Sequence, residues 1–429
     1  MGEGVFHKPG AAKVIDMSMR ERPLLTARSA SAILFAVTIA ATSRQALADL
    51  DLSGSVSAGT SYDTNARQLA AIETAVATPG GESKRDDLSL FVSANAAAKM
   101  GGSGPLRAQM QASYNHSDSI RQEALSHDDY GLGTIIEWHP GQVFDATLNA
   151  SQTRSPIGLA DVGGITSTEQ TATTVQGTLR LRPTPRWQLS LSPGWNETRT
   201  PLLNADDFRL ITRSGAASIE FLGAGQLVPG VGVTENRSTY SGITNATRYR
   251  QRSAYGTLSY KVTALTTFGL TAGKSWRDTS LRNPSNDPAA AKLAGSDSAF
   301  TGSLNINRQL TPKTGVNVNV FRNFQQYDAG VNTSVGTGFG IGVSWAATAR
   351  FSASLGTAYT VQDIDNVSFG GSTIQRTDLT RSYSLAMNYR ATRMVTVQTS
   401  VTRNVRRSEI WVDQYNSTIG ALSVAIRFD

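Results

Sequence analysis

Long stretches in which apolar and polar residues alternate dominate this chain, and a period of two permits one kind of backbone: extended, with successive side chains on opposite faces. Leu50, Leu52, Val56, Ala58 and Tyr62 share one face, against Asp51, Ser53, Ser55, Ser57 and Ser61 on the other. The same holds for Leu106, Ala108, Met110, Ala112 and Tyr114 against Arg107, Gln109, Gln111, Ser113 and Asn115, and for Val316, Val318 and Val320 against Asn317 and Asn319. About eighteen such runs lie between Leu50 and Phe428, many of them about 10–14 residues long, whereas strands of soluble domains average roughly five or six. Composition points the same way. A chain of 429 residues would ordinarily divide into two or three soluble domains, yet only 17% of its residues are charged and 39% hydrophobic, against roughly 25% charged in soluble proteins. The absence of cysteine excludes disulfides, thiolate metal sites and a cysteine nucleophile.

The amino terminus reads as an export signal. Lys8, Lys13, Arg20, Arg22 and Arg28 precede an apolar run from Ala30 to Ala41, and Ala46-Leu47-Ala48 offers an A-x-A cleavage site before Asp49. That run is shorter than the roughly 20 residues a spanning helix needs. The expectation is a signal peptide over residues 1–48 and a folded unit over 49–429, whose charge is (40 − 6) − (33 − 3) = +4.

Connections between the alternating runs themselves alternate. Short turns are expected at 101–104, 139–141, 183–185, 223–225, 263–264, 310–312, 346–348 and 391–392, and longer polar loops near 63–86, 117–129, 153–168, 196–207, 237–247, 278–297, 327–334, 363–379 and 407–416. A β-propeller has a similar spacing but needs four short strands per blade. In hydrocarbon every backbone polar group must be paired internally, which a closed antiparallel sheet achieves by leaving no edge. The fold expected is therefore an all-β transmembrane antiparallel up-and-down barrel of about 18 strands, with 16 as the alternative, in the outer membrane of a Gram-negative bacterium. Small residues on the apolar face, such as Ala94, Ala96 and Ala98, suit lipid contact better than a packed core. Trp138, Trp187, Trp345, Phe351, Tyr389 and Phe428 lie beside the short turns, and Tyr62, Tyr114, Trp276 and Tyr359 near the long loops, as two interfacial girdles would require.

The closing segment carries a resemblance. Arg381-Ser382-Tyr383-Ser384-Leu385-Ala386-Met387-Asn388-Tyr389-Arg390-Ala391-Thr392-Arg393, then Arg407-Ser408 and the final strand Leu422-Ser423-Val424-Ala425-Ile426-Arg427-Phe428, together with the Pro183-Thr184-Pro185-Arg186 turn, resembles the outer-membrane β-barrel porins linked to exopolysaccharide biosynthesis, the EpsL-type family. Asp429 after the last aromatic departs from the usual ending of outer-membrane barrels. The resemblance implies an outer-membrane channel or accessory protein in export of a surface polysaccharide, working with other export-machinery components, and implies no catalytic residues.

Alternation places Asn95, Arg107, Gln109, Gln111, Asn149, Gln176, Arg180, Asn317, Asn319, Asn388 and Gln398 on the wetted, lumen-lining face, where amides offer donors and acceptors to sugar hydroxyls. The loop at 63–86 is a candidate to fold into that lumen. Arg248, Arg250, Arg252, Arg403, Arg406 and Arg407 lie near loop-side strand ends, where guanidinium groups would pair with the phosphates of lipopolysaccharide or with an acidic sugar polymer. Nucleic acid is not an expected partner, because the cations are dispersed and exported. His127-Asp128-Asp129 is the one local His/Asp cluster and would be the centre of a hydrolase, the alternative of another class; a general diffusion porin is the nearer one. Asp363-Ile364-Asp365-Asn366 lacks the remaining ligands of a calcium loop. No enzyme activity, metal or cofactor is expected.

Overall fold

The structure, a computed structural model, describes residues 50–66, 86–101, 104–121, 125–156, 169–201, 208–223, 225–241, 247–281, 295–326, 333–369, 372–409 and 414–428. The expected signal peptide and most of the 63–86 loop lie outside the described residues. Eighteen strands follow one another: β1 Leu50–Asp63, β2 Asp87–Met100, β3 Leu106–Ser119, β4 His127–Trp138, β5 Phe144–Pro156, β6 Glu169–Thr184, β7 Trp187–Thr200, β8 Phe208–Phe221, β9 Leu227–Ser241, β10 Thr247–Thr263, β11 Thr266–Leu281, β12 Gly295–Thr311, β13 Thr314–Gln326, β14 Thr333–Trp345, β15 Phe351–Phe369, β16 Ser372–Arg390, β17 Val395–Ser408 and β18 Tyr415–Phe428. Each pairs antiparallel with its sequence neighbours, and β1 pairs with β18 from Gly54↔Phe428 to Asp63↔Ile419, so the sheet closes. Closure satisfies the backbone without water.

The seam is tight. A Cβ on Gly59 would lie 2.3 Å from the Leu422 carbonyl oxygen and 2.7 Å from Ser423 Cβ, so only glycine lets β1 approach β18 here. At the turn end, Gly101 has φ 93°, a left-handed conformation that L side chains resist. Threonine shapes several other turns: the Thr348 hydroxyl accepts from the Arg350 and Phe351 amides (3.2 and 2.9 Å), and Thr392 does the same for Met394 and Val395 (3.2 and 3.0 Å).

Register carries the parity of every strand into the next. Leu52, Ala98, Met110, Thr134, Ala150 and Val175 follow one another on one face; Ser55, Asn95, Ser113, Gly131, Thr153 and Ala172 follow on the other. On the first face Met110, Leu132, Leu191, Leu355 and Leu422 are each more than half exposed. Leaving such side chains in water forfeits about 1.5–3 kcal/mol apiece, so this face is the one turned to acyl chains and its opposite encloses the lumen. At the turn end the outward aromatics interlock across hairpins: Trp138 with Phe144 (5.2 Å between centroids), Trp187 with Phe221 (4.9 Å) and Trp345 with Phe351 (6.3 Å). The architecture is that of an outer-membrane β-barrel.

Several strands outrun their sequence signal. Residues 363–379 were expected to be a long loop, but β15 continues to Phe369 and β16 starts at Ser372, paired down to Phe369↔Ser372 after a shift between Ile364 and Val367. Above the hydrocarbon no face must be apolar, so the alternation fades there while the ladder of backbone hydrogen bonds continues.

Candidate functional site

The inner wall is assembled from the polar parity. Asn95 stands opposite Ser113, Gln109 opposite Lys99, Gln111 opposite Ala97, Asn149 opposite Gln176, Asn317 opposite Asn307, and Asn388 opposite Gln398. Asn319 donates from Nδ2 to Asn305 Oδ1 at 2.6 Å. Hydroxyls continue the pattern where the amides stop, as in Ser57 Oγ with Ser93 Oγ (2.6 Å) and Ser275 Oγ with Thr301 Oγ1 (2.8 Å).

Charges on this wall come largely as opposite pairs near the turn end. Asp51 faces Lys99, Arg107 faces Glu137, and Arg180 faces Asp145. Asp145 also receives His139 Nδ1 at 2.9 Å and lies 3.4 Å from Arg182, whose Nε donates to Gln188 (3.0 Å), which in turn donates to Glu220 (3.0 Å). Cross-strand pairing of opposite signs offsets these charges locally, while Arg427, opposite Ser55, and Arg390, opposite Thr396, share the lumen parity with no acidic residue opposite them.

Two inward grooves interrupt the wall. One of about 540 Å³ has Ser55, Asn95, Gln111, Ser113, Ser151, Thr153 and Arg427 among its lining residues. The other, about 600 Å³, is lined by Asn307, Gln309, Gly315, Asn317, Gly342, Ser344, Ser354, Gly356 and Ser384. Glycine makes the room: Asn317 Oδ1 occupies the place where a Gly342 Cβ would stand, 2.1 Å from it.

Toward the loop end the inner wall changes character. Asp87, Ser119, Thr198, Thr200, Ser238, Tyr240, Tyr249, Ser275, Arg277, Ser334, Ile364, Arg376, Asp378, Ser408 and Ser417 are buried, and parity puts all of them on the lumen side. Tyr240 and Tyr249 meet edge to face at 5.4 Å, with the Arg277 guanidinium 4.4 Å from the Tyr249 ring centre. Asp378 receives Arg376 and Arg406 at 2.8 Å each. Sequence reading missed this ring. Its one local signal is Arg376-x-Asp378, opposite charges two residues apart on one strand face.

The arginines proposed for the rim do not stay together. Arg248, Arg250, Arg252, Arg403 and Arg407 have outward parity, but Arg406 points inward to Asp378, because neighbours along a strand face opposite ways. The His127 cluster separates for the same reason. Asp128 lies on the outer face with His116 (2.8 Å) and Tyr114 (2.7 Å), while His127 keeps Asp129 at 3.5 Å and donates from Nδ1 to the Leu125 carbonyl at 2.7 Å. Both its ring nitrogens thus face acceptors, and Ser117 across the strand pair meets neither in a hydrogen bond among the described residues. At the loop end of β1, Tyr62 donates to Asp86 (3.0 Å), and this hydrogen bond, with Arg121 beside it, holds that carboxyl below the usual carboxylate range. Among the described residues no three His, Asp or Glu side chains converge as metal ligands.

No family model matches the chain, and no curated protein matches it either. Among solved structures it is similar to the siderophore receptor PirA from Pseudomonas aeruginosa (12% identity, 90% of this chain and 81% of that one, TM-score 0.46). It is also similar to OpdK from Pseudomonas aeruginosa, solved with vanillate (11% identity, 88% and 99%, TM-score 0.45), and to OccK9 (OpdG) from the same organism (12%, 88% and 99%, TM-score 0.45). Likenesses at this level transfer no substrate and no partner to this chain.

Proposed function

We propose that the barrel is an outer-membrane channel for hydrophilic, weakly charged solutes, and that the solute it serves is carbohydrate, within the export of a surface polysaccharide. The observation that carries this is the inner wall at mid-height. Amides, hydroxyls and glycines make up most of it, and three pairs of charges near it are opposed across strands, so apart from Arg427 it presents chiefly neutral hydrogen-bond partners to sugar hydroxyls. The ending of the chain, from Arg381 to Phe428, supports the polysaccharide assignment through its resemblance to EpsL-type barrels. A general diffusion porin is the competing reading. The buried inner ring at the loop end favours a channel with a narrowed mouth over a freely open one.

Conductance in planar bilayers tests the proposal. Added oligosaccharides are expected to block single-channel current in a size-dependent way, with little preference for anions or cations in a salt gradient. Current indifferent to every sugar tried would remove the carbohydrate reading and leave the diffusion porin.

A further inference from the structure

Outside the barrel, the faces of β7–β11 combine two features found together at one place. The lower is an apolar groove of about 950 Å³ with walls that include Leu191, Ile219 and Val231 and a floor of Ala254, Gly256 and Ala272. The groove exists because small residues lie side by side in register next to a bulkier neighbour: Gly256 is opposite Val231 on one side and Ala272 on the other, and Ala272 is opposite Gly302. Directly above, and sharing Ala217, Val233 and Ala254 with it, is a second cavity of about 820 Å³ that includes Glu235, Arg252, Trp276 and Asp278.

One level higher the register sets Arg213, Arg237 and Arg250 directly opposite one another on three successive strands. Like charges so placed repel. Glu235 offsets part of this, with Arg237 at 2.5 Å, Arg250 at 2.9 Å and Arg252 at 3.8 Å. Asp278 stands opposite Arg250 on β11, so four guanidinium groups meet two carboxylates and leave a surplus of two positive charges, and Arg213 has no carboxylate partner among the described residues. Glu235 and Arg252 take the first outward positions above Val233 and Ala254 and Arg237 and Arg250 the second, where the apolar surface ends and lipid headgroups begin.

We propose that this face seats one phosphorylated, acylated glycolipid of the outer leaflet, with acyl chains along the groove and a phosphate on Arg213, Arg237 and Arg250. Guanidinium pairs match phosphate oxygens bidentately, and the anion supplies the charge that the arginine row lacks. The apolar groove fixes the chains at the depth where that phosphate meets the row. The seat does not depend on what passes through the lumen.

Native mass spectrometry of the detergent-purified barrel, titrated with diphosphorylated lipid A, its dephosphorylated form and phosphatidylglycerol, tests it. One diphosphorylated lipid A is expected to be retained per barrel, with the other two lipids held roughly tenfold or more weakly. Arg237→Ala with Arg250→Ala is expected to abolish that preference. Gly256→Leu fills the groove without touching a charge; since a Cβ there meets nothing nearer than 3.9 Å, the barrel should still fold, as heat-modifiable migration in gels will show. Equal retention by wild type and both variants, or equal retention of phosphatidylglycerol, overturns the proposal; either result leaves the sugar-block experiment on the channel unaffected.

Discussion

At mid-height on the inner wall, Asn317 and Gln398 stand exposed and Asn319 and Asn388 half-buried; further up, on strands that continue or adjoin theirs, Ser334, Ile364, Arg376, Asp378 and Ser408 are buried. Both regions share one parity and one kind of backbone. What separates them is how charge is treated. The middle is made of neutral amides that water can reach, so each side chain is loosely held and replaceable. The loop end carries a buried carboxylate between two guanidinium groups and an arginine stacked on a tyrosine, where removing one partner strands another. A barrel of this kind therefore holds its shape at the loop end and leaves its middle free to meet solutes.

The sharpest way to break this contrast is Asp378→Ala. It leaves Arg376 and Arg406 without the carboxylate they share, and about 3–5 kcal/mol of stability is expected to be lost, read as a lower urea midpoint for the barrel folded in vesicles. A loss below about 1 kcal/mol would mean the loop-end ring is ordinary wet surface. Tyr249→Ala, which removes a buried ring packed on Tyr240 and Arg277, is expected to cost about 3 kcal/mol by the same measurement. At mid-height the expectation reverses: Asn319→Ala loses a half-exposed amide pair and about 1 kcal/mol or less, with folding otherwise intact. The smallest effect on stability, and the most direct on passage, is Asn317→Arg with Gln398→Arg. Stability should stay within about 0.5 kcal/mol, yet the reversal potential in a salt gradient should move toward anion preference. An unchanged reversal potential would show that these side chains do not line the conducting path.

Much of this could be read from the chain before any coordinates. Alternation marked the strands, and Gly101, Thr348 and Thr392 sat where turns were expected. The misreadings cluster where lipid stops imposing a pattern. Residues 363–379 break the apolar–polar alternation and so resembled a loop, although most of them extend β15 and β16. Arg406 sat beside Arg407 in a run of cations, and only a settled strand there shows that one turns to Asp378 and the other away. The Tyr240–Tyr249–Arg277 contact joins three strands, and no spacing within one of them signals it.

Residue order alone determined that this chain makes long two-faced strands joined by alternating short and long connections, because side-chain direction along an extended backbone is a local property with a fixed period. The register at which neighbouring strands pair, and hence the row of Arg213, Arg237 and Arg250, the groove beneath it and the buried Asp378 ring, was decided only in the assembled sheet. Those features join residues of different strands, and the backbone hydrogen bonds between the strands bring them to one height on one face.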